Sequence, residues 1–146
     1  MRAQAPERAE ALQKGLVDIG QASAASGVSA KMIRHYEEIG LLPVVPRTAA
    51  NYRLYAPQHV QTLRFIHRAR ALGFSMDEIR ALLGLWQNRR RPSAAVRKIA
   101  QAHIEDLQQR IAQMQGMVDT LGHLVHCCHG DERPDCPILV DLAGED

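Results

Sequence analysis

The chain has 146 residues, enough for one domain or two small units sharing a core and too few for a large catalytic architecture. Hydrophobic residues make up 46% and charged residues 23%, which excludes a disordered tail, and no apolar run approaches the roughly 18–20 residues of a membrane span. The formal charge of +2 conceals a split, because residues 1–98 carry 16 Lys/Arg against 7 Asp/Glu whereas residues 99–146 carry 2 against 9.

Residues 1–15 alternate charge and alanine without an apolar face, which predicts a flexible extension lacking a signal-peptide core. Val17, Ile19, Ala22 and Ala25 then form a short helical pattern closed by Gly27. Ser29 is placed to cap a second helix through Met32, Ile33 and Tyr36, with Gly40 just past its end. Two short helices around a glycine-containing turn are a helix-turn-helix pattern. The stretch LLPVVPRTAANYRLY has two short β-prone segments around a polar turn, which predicts a hairpin or wing, and Asn51 tolerates a left-handed backbone there.

Pro57 suits the first turn of a third helix, with Val60, Leu63, Ile66 and Ala69 inward and Gly73 as its stop. Ser75-Met-Asp-Glu78 is a capping box opening a fourth helix, with Ile79, Leu82, Leu83 and Trp86 inward. From Ser93 to about residue 126 there is no proline. Ala100, Ile104, Leu107, Ile111, Met114, Val118, Leu121, Val125 and Cys128 alternate there at spacings of four and three, an a/d seam. Such a stripe calls for a partner helix, most simply from a second copy, so a homodimer is expected. The expected fold class is mainly α, in four parts. An extension (1–15) precedes a winged helix-turn-helix domain (16–88), then come an antiparallel coiled-coil dimerisation helix (93–126) and a metal-binding loop with a short terminal helix (127–146).

All three tyrosines, Tyr36, Tyr52 and Tyr55, lie in the helix-turn-helix and wing, interleaved with Arg34, Arg47 and Arg53. Tyrosine hydroxyls and arginine forks suit phosphate oxygens, and Ser29, Lys31 and Arg34 would face a groove from the second helix. The alternative for Tyr36 and Tyr55 is that they pack the small domain. The three cysteines, two of them adjacent, cannot make a disulfide framework, so in a cytosolic chain they point to metal or thiol chemistry.

The segment VDIGQASAASGVSAKMIRHYEEIGLL, followed by Arg47, Tyr52-Arg53, Tyr55 and then RARALGFSMDEI, closely resembles the MerR family of bacterial transcription regulators. Cys128 and Cys136, with seven residues between them and Pro-Ile following, resemble the metal loop of its copper-efflux (CueR-like) branch. The likeness covers about residues 16–142; Asn51, where the family often has glycine, and the first fifteen residues depart from it. It implies a cytoplasmic bacterial activator that binds double-stranded promoter DNA as a homodimer and bends an overlong spacer for RNA polymerase.

Thiolates are soft ligands. Cys128 and Cys136 alone suit linear two-coordinate Cu(I), Ag(I) or Au(I) and cannot complete a tetrahedral zinc site. By the resemblance, divalent-sensing relatives place a third cysteine where this chain has Ser93, which implies monovalent selectivity, although Ser93 is equally suited to capping the long helix. Cys127 matches no ligand position. His123, His126 and His129 keep open a zinc or other divalent reading that uses loop cysteines and histidines. Three cysteines are too few for the four that an iron–sulfur loop needs. No Cys–His–acid set, H-E-x-x-H or glycine-rich phosphate loop supports an enzyme. An interaction module binding an acidic protein through its basic half is the remaining rival.

Overall fold

The computed structural model describes residue 10, residues 13–128, residue 130 and residues 135–144. Most of the expected N-terminal extension, His129 and much of the segment between Cys128 and Cys136 lie outside the described residues. Six helices are described: α1 (Ile19–Ser26), α2 (Ala30–Glu38), α3 (Pro57–Ala71), α4 (Met76–Gln87), α5 (Ser93–Cys127) and α6 (Pro137–Leu142). The chain divides between Ser93 and Ala94 into two compact units.

The first unit is held by local signals that agree with one another. Asp18 caps α1 and accepts from the Gln21 amide at 2.8 Å, while the Gln21 side chain returns a bond to the Asp18 amide. Gly27 closes α1 at φ +79°, and a side chain there would press on the His67 ring 3.3 Å away. Ser29 caps α2 by accepting from Met32 N at 3.2 Å, and Gly40 follows at φ +77°. Ser75 and Glu78 form the reciprocal capping box that opens α4. One face each of α1 to α4 contributes Ala22, Ile33, Leu63, Ile66 and Ile79 to a common buried core, joined by Leu42 and Val45 from the connecting segment.

Two elements differ from the sequence expectation. The wing is not a regular hairpin among the described residues. A single antiparallel bridge, Arg47 with Arg53, is reinforced by Thr48 N donating to Tyr52 O at 2.7 Å and Leu54 N to Pro46 O at 2.8 Å. Two prolines in the first arm, Pro43 and Pro46, lack the amide hydrogens a longer ladder would need. Asn51 takes the turn at φ +69°, as its side chain allows. Val17, expected inside the first helix, instead forms an antiparallel bridge with Tyr55, exchanging bonds of 2.9 and 2.8 Å that tie the start of the unit to the wing's exit.

The second unit contains α5, 35 residues long, and the short α6. Along α5, Ile104, Ile111, Met114, Val118, Leu121 and Val125 are between 46% and 65% exposed, so the apolar stripe read from the sequence faces outward within this chain. Among the described residues no helix is long and apolar enough to cross a membrane.

At the N-terminus of α3, Ala56 N donates to His59 Nδ1 at 2.9 Å, and the His59 ring lies edge-on to Tyr55 at 6.4 Å. An imidazole that accepts at Nδ1 is unprotonated there, and burial lowers its pKa below the ordinary 6.5. A histidine depressed in the folded state binds fewer protons than the unfolded chain, so stability rises with pH through that range. Melting temperature should therefore fall between pH 7.5 and pH 5.5, and a His59→Gln variant should lose part of this dependence in thermal scans.

Candidate nucleic-acid interface and metal loop

The first unit presents α2 and the wing side by side. Ser29, Lys31 and Arg34 on α2 and Arg47 and Tyr52 on the wing are exposed, Tyr52 to 69%. Ser29's hydroxyl already accepts one bond as the α2 cap, and its proton is still able to donate elsewhere. Arg47 Nη1 donates to Asn51 Oδ1 at 3.2 Å, an anchor within the wing. Arg53 is half-buried and donates from Nε to Glu37 Oε2 at 3.0 Å.

Tyr36 and Tyr55 are in a different place from the DNA-facing position expected of them. They are 2% and 0% exposed and belong to the core. Tyr36 lies on the inner face of α2, and its hydroxyl accepts from Arg70 Nη1 at 3.3 Å. Tyr55 is pinned by its backbone bridge to Val17. Among the described residues its hydroxyl makes no hydrogen bond, and burial, then Glu37, push its pKa up to about 12. Both phenols therefore shape the surface from beneath.

A set of exposed arginines that brace helix ends was not legible in the sequence. Arg64 Nε donates to Ala25 O in the last turn of α1 at 2.9 Å, and Arg80 Nη2 donates to Ile39 O at the end of α2 at 2.9 Å. A guanidinium at a helix C-terminus satisfies an orphan carbonyl and complements the negative end of the dipole. With Arg70 on Tyr36, three exposed arginines of the basic half also brace the helix-turn-helix. Contacts between residues 34–41 positions apart leave no periodic signal in the sequence. Trp86, expected inward, is partly exposed and stacks on Phe65 at a ring separation of 4.7 Å and an interplanar angle of 10°.

In the second unit, Cys128 ends α5, its amide donating to Leu124 O and Val125 O. Cys136 precedes Pro137 at the start of α6 and its carbonyl accepts from Val140 N. Both are half-buried, whereas Cys127 is exposed with its Sγ 3.8 Å from His123 Nε2 on the preceding turn. Among the described residues no three His, Cys, Asp or Glu side chains converge. Ser93 is exposed as the first residue of α5.

The MerR HTH family regulatory protein model matches residues 17–85, and the MerR DNA-binding model matches residues 60–124. The transcriptional regulator HmrR of Sinorhizobium medicae is 54% identical over 127 residues, covering 87% of this chain and 86% of that one. The chain belongs to the MerR family. Its members are transcription regulators, not enzymes. The regulator CueR of Vibrio cholerae is 38% identical, covering 88% of this chain and 92% of its own. The lead(II) complex of the regulator PbrR691 from Ralstonia metallidurans is 32% identical with a TM-score of 0.75, covering 86% of this chain and 98% of that one. The mainly helical, helix-turn-helix-containing architecture is that of the family.

The burial of the two phenols makes a prediction. Tyr55→Phe removes a hydroxyl with no protein partner and should leave stability unchanged or slightly raised. Tyr36→Phe deletes the acceptor of Arg70 and should cost about 0.5–1.5 kcal/mol. Urea unfolding of the two variants beside the parent protein measures both.

Proposed function

We propose that this MerR-family regulator is a heavy-metal-dependent transcriptional activator that senses Cu(I), with Ag(I) or Au(I) accepted at the same site. The observation that carries this reading is the pair of half-buried thiols, Cys128 closing α5 and Cys136 opening onto α6, which bracket one loop. Two soft anionic donors fit a monovalent soft ion, because two thiolates already exceed its charge and no further ligand is required. Cys128 and Cys136 would hold the ion as thiolates, and the chemistry it supplies is a single link between the two ends of the loop. Ser93, at the start of α5, offers a neutral hydroxyl where a divalent ion would call for another anionic donor.

Relatives named for heavy-metal dependence support the coarser statement; examples are two regulators of Rhizobium meliloti, 52% and 51% identical to this chain. The exposed seam of α5 supports a homodimer, since each such aliphatic side chain gains roughly 1.5–3 kcal/mol when fully buried. Two antiparallel α5 helices would set the separation of two winged units over a palindromic promoter of double-stranded DNA. Ser29, Lys31, Arg34, Arg47, Tyr52 and Arg53 remain the candidate DNA contacts, with phosphates the main target of the arginines. The dimer would act in the bacterial cytoplasm by reshaping an overlong promoter spacer for RNA polymerase, a shift between two DNA shapes biased by metal.

One observation favours a second reading. The Cys127–His123 contact brings together a thiol and an imidazole, donors that zinc and other divalent ions accept, so a divalent sensor built on the cysteines and histidines is the alternative. Titrations of Cu(I) and Zn(II) under a thiol-free reductant separate the two. The copper reading expects tight binding of one Cu(I) per protomer, abolished in Cys136→Ser and retained in Cys127→Ser. Cu(I) binding no tighter than micromolar beside tight zinc binding would overturn it.

A further inference from the structure

We infer that Glu37 is a positioning residue for DNA binding, its carboxylate holding the Arg53 guanidinium between α2 and the wing with one edge directed outward. The inference deepens the reading of Arg53 as a phosphate contact and rests on it. Glu37 stands near the end of α2 and Arg53 in the returning arm of the wing, sixteen residues on, and the 3.0 Å bond from Nε to Oε2 joins the two elements. The side chains are 10% and 25% exposed for Glu37 and Arg53 respectively, so the pair is screened by solvent far less than a surface contact.

Two features argue that this carboxylate does more than satisfy a nearby charge. First, Arg53 lies opposite Arg47 in the wing's single bridge, and like charges directly across a strand pair repel. Arg47 is turned to Asn51, and Glu37 takes Arg53, so the two cations are drawn apart onto separate anchors. Second, the bond uses Nε, and among the described residues neither Nη of Arg53 has a partner. A fork fixed by its stem nitrogen keeps its outer donors in one plane, the arrangement that bidentate contact with a phosphate uses. In sequence the wing's returning arm runs from Arg53 directly into Tyr55, which is fully buried and bridged to Val17, so the arm that carries Arg53 is anchored in the core.

The sign of the effect makes the test sharp. Glu37 is a negative charge on the face offered to a polyanion, so by charge alone Glu37→Gln should tighten DNA binding. If Glu37 positions Arg53, the same change weakens it. Full-length protein carrying Glu37→Gln, Arg53→Gln, Arg53→Lys or the Glu37→Gln/Arg53→Gln pair would be titrated onto a mixed-sequence DNA duplex across a salt series, because phosphate contacts act regardless of sequence.

The expected result is that Arg53→Gln and Glu37→Gln each weaken binding by about fivefold or more, the value of one charge-assisted hydrogen bond. Each should also lower the steepness of the salt dependence by about one, the loss of one phosphate contact. Arg53→Lys, which keeps the charge without the fork, should lose affinity while largely keeping the salt slope, and Glu37→Gln should add nothing in the Arg53→Gln background. Unchanged or tighter binding by Glu37→Gln, with Arg53→Gln weakened, would overturn the positioning role while leaving the phosphate contact standing. So would a fall in melting temperature with no change in salt dependence, or full activity of Arg53→Lys should Glu37→Gln fail to fold. No effect of Arg53→Gln would overturn both.

Discussion

A 35-residue helix that leaves Ile111, Met114, Val118, Leu121 and Val125 more or less half open to water cannot be at its free-energy minimum as a single copy. The stripe recurs at spacings of four and three, so in the proposed dimer a second α5 running the other way would cover it along its length. The rest of the proposed mechanism depends on this. The seam would fix how far apart two DNA-binding units stand, and Cys128, at its last turn, would place the metal loop where the pairing ends. A sensor loop placed elsewhere on the chain would have no lever on the spacing between half-sites.

The DNA-facing unit shows how one residue type serves two purposes. Arg64, Arg70 and Arg80 are spent on Ala25 O, the Tyr36 hydroxyl and Ile39 O, holding α1 and α2 at a fixed angle. Arg34 and Arg47 face outward with Lys31 and Tyr52, and Arg53 stands between the two groups, anchored by Glu37. These three arginines are exposed and bond neutral acceptors, so they brace the fold and still add to the positive field of the first 98 residues. Rigid support beneath a few exposed forks is what a protein that deforms its target requires, because a soft recognition unit would bend instead of the duplex.

Helix boundaries were legible because they are local events. Ser29 and Ser75 cap, Gly27, Gly40 and Gly73 terminate, and Pro57 initiates, each within one turn of the residues it serves, whereas the Asp18 cap that starts α1 after Val17 was not read from the sequence. The inward faces of α3 and most of α4 followed from their periodicity. Tyr36 and Tyr55 were legible only as aromatic residues near arginines, a pattern that fits a phosphate contact and a core residue equally. Which of the two applied was set by Val17 pairing with Tyr55 and by Arg70 reaching Tyr36, contacts 38 and 34 positions apart. Trp86 followed the helical period and still came out partly exposed, because Phe65 offers a flat partner at the surface. At the metal loop, the spacing of Cys128 and Cys136 was plain in the sequence, while the pairing of Cys127 with His123 needed coordinates.

These pieces make the switch one of shape. The apo and metal-loaded dimers would share the same α2 and wing surfaces, so both should hold the promoter with similar affinity, and the metal would act on the geometry between the two units. The most direct measurement is fluorescence energy transfer between dyes at the two ends of a promoter duplex to which the apo protein is already bound. Cu(I) should change the end-to-end distance while binding strength stays nearly constant, and Cys136→Ser should abolish the change. Release or recruitment of the protein by Cu(I) with no change in the distance between the ends would contradict a switch of shape.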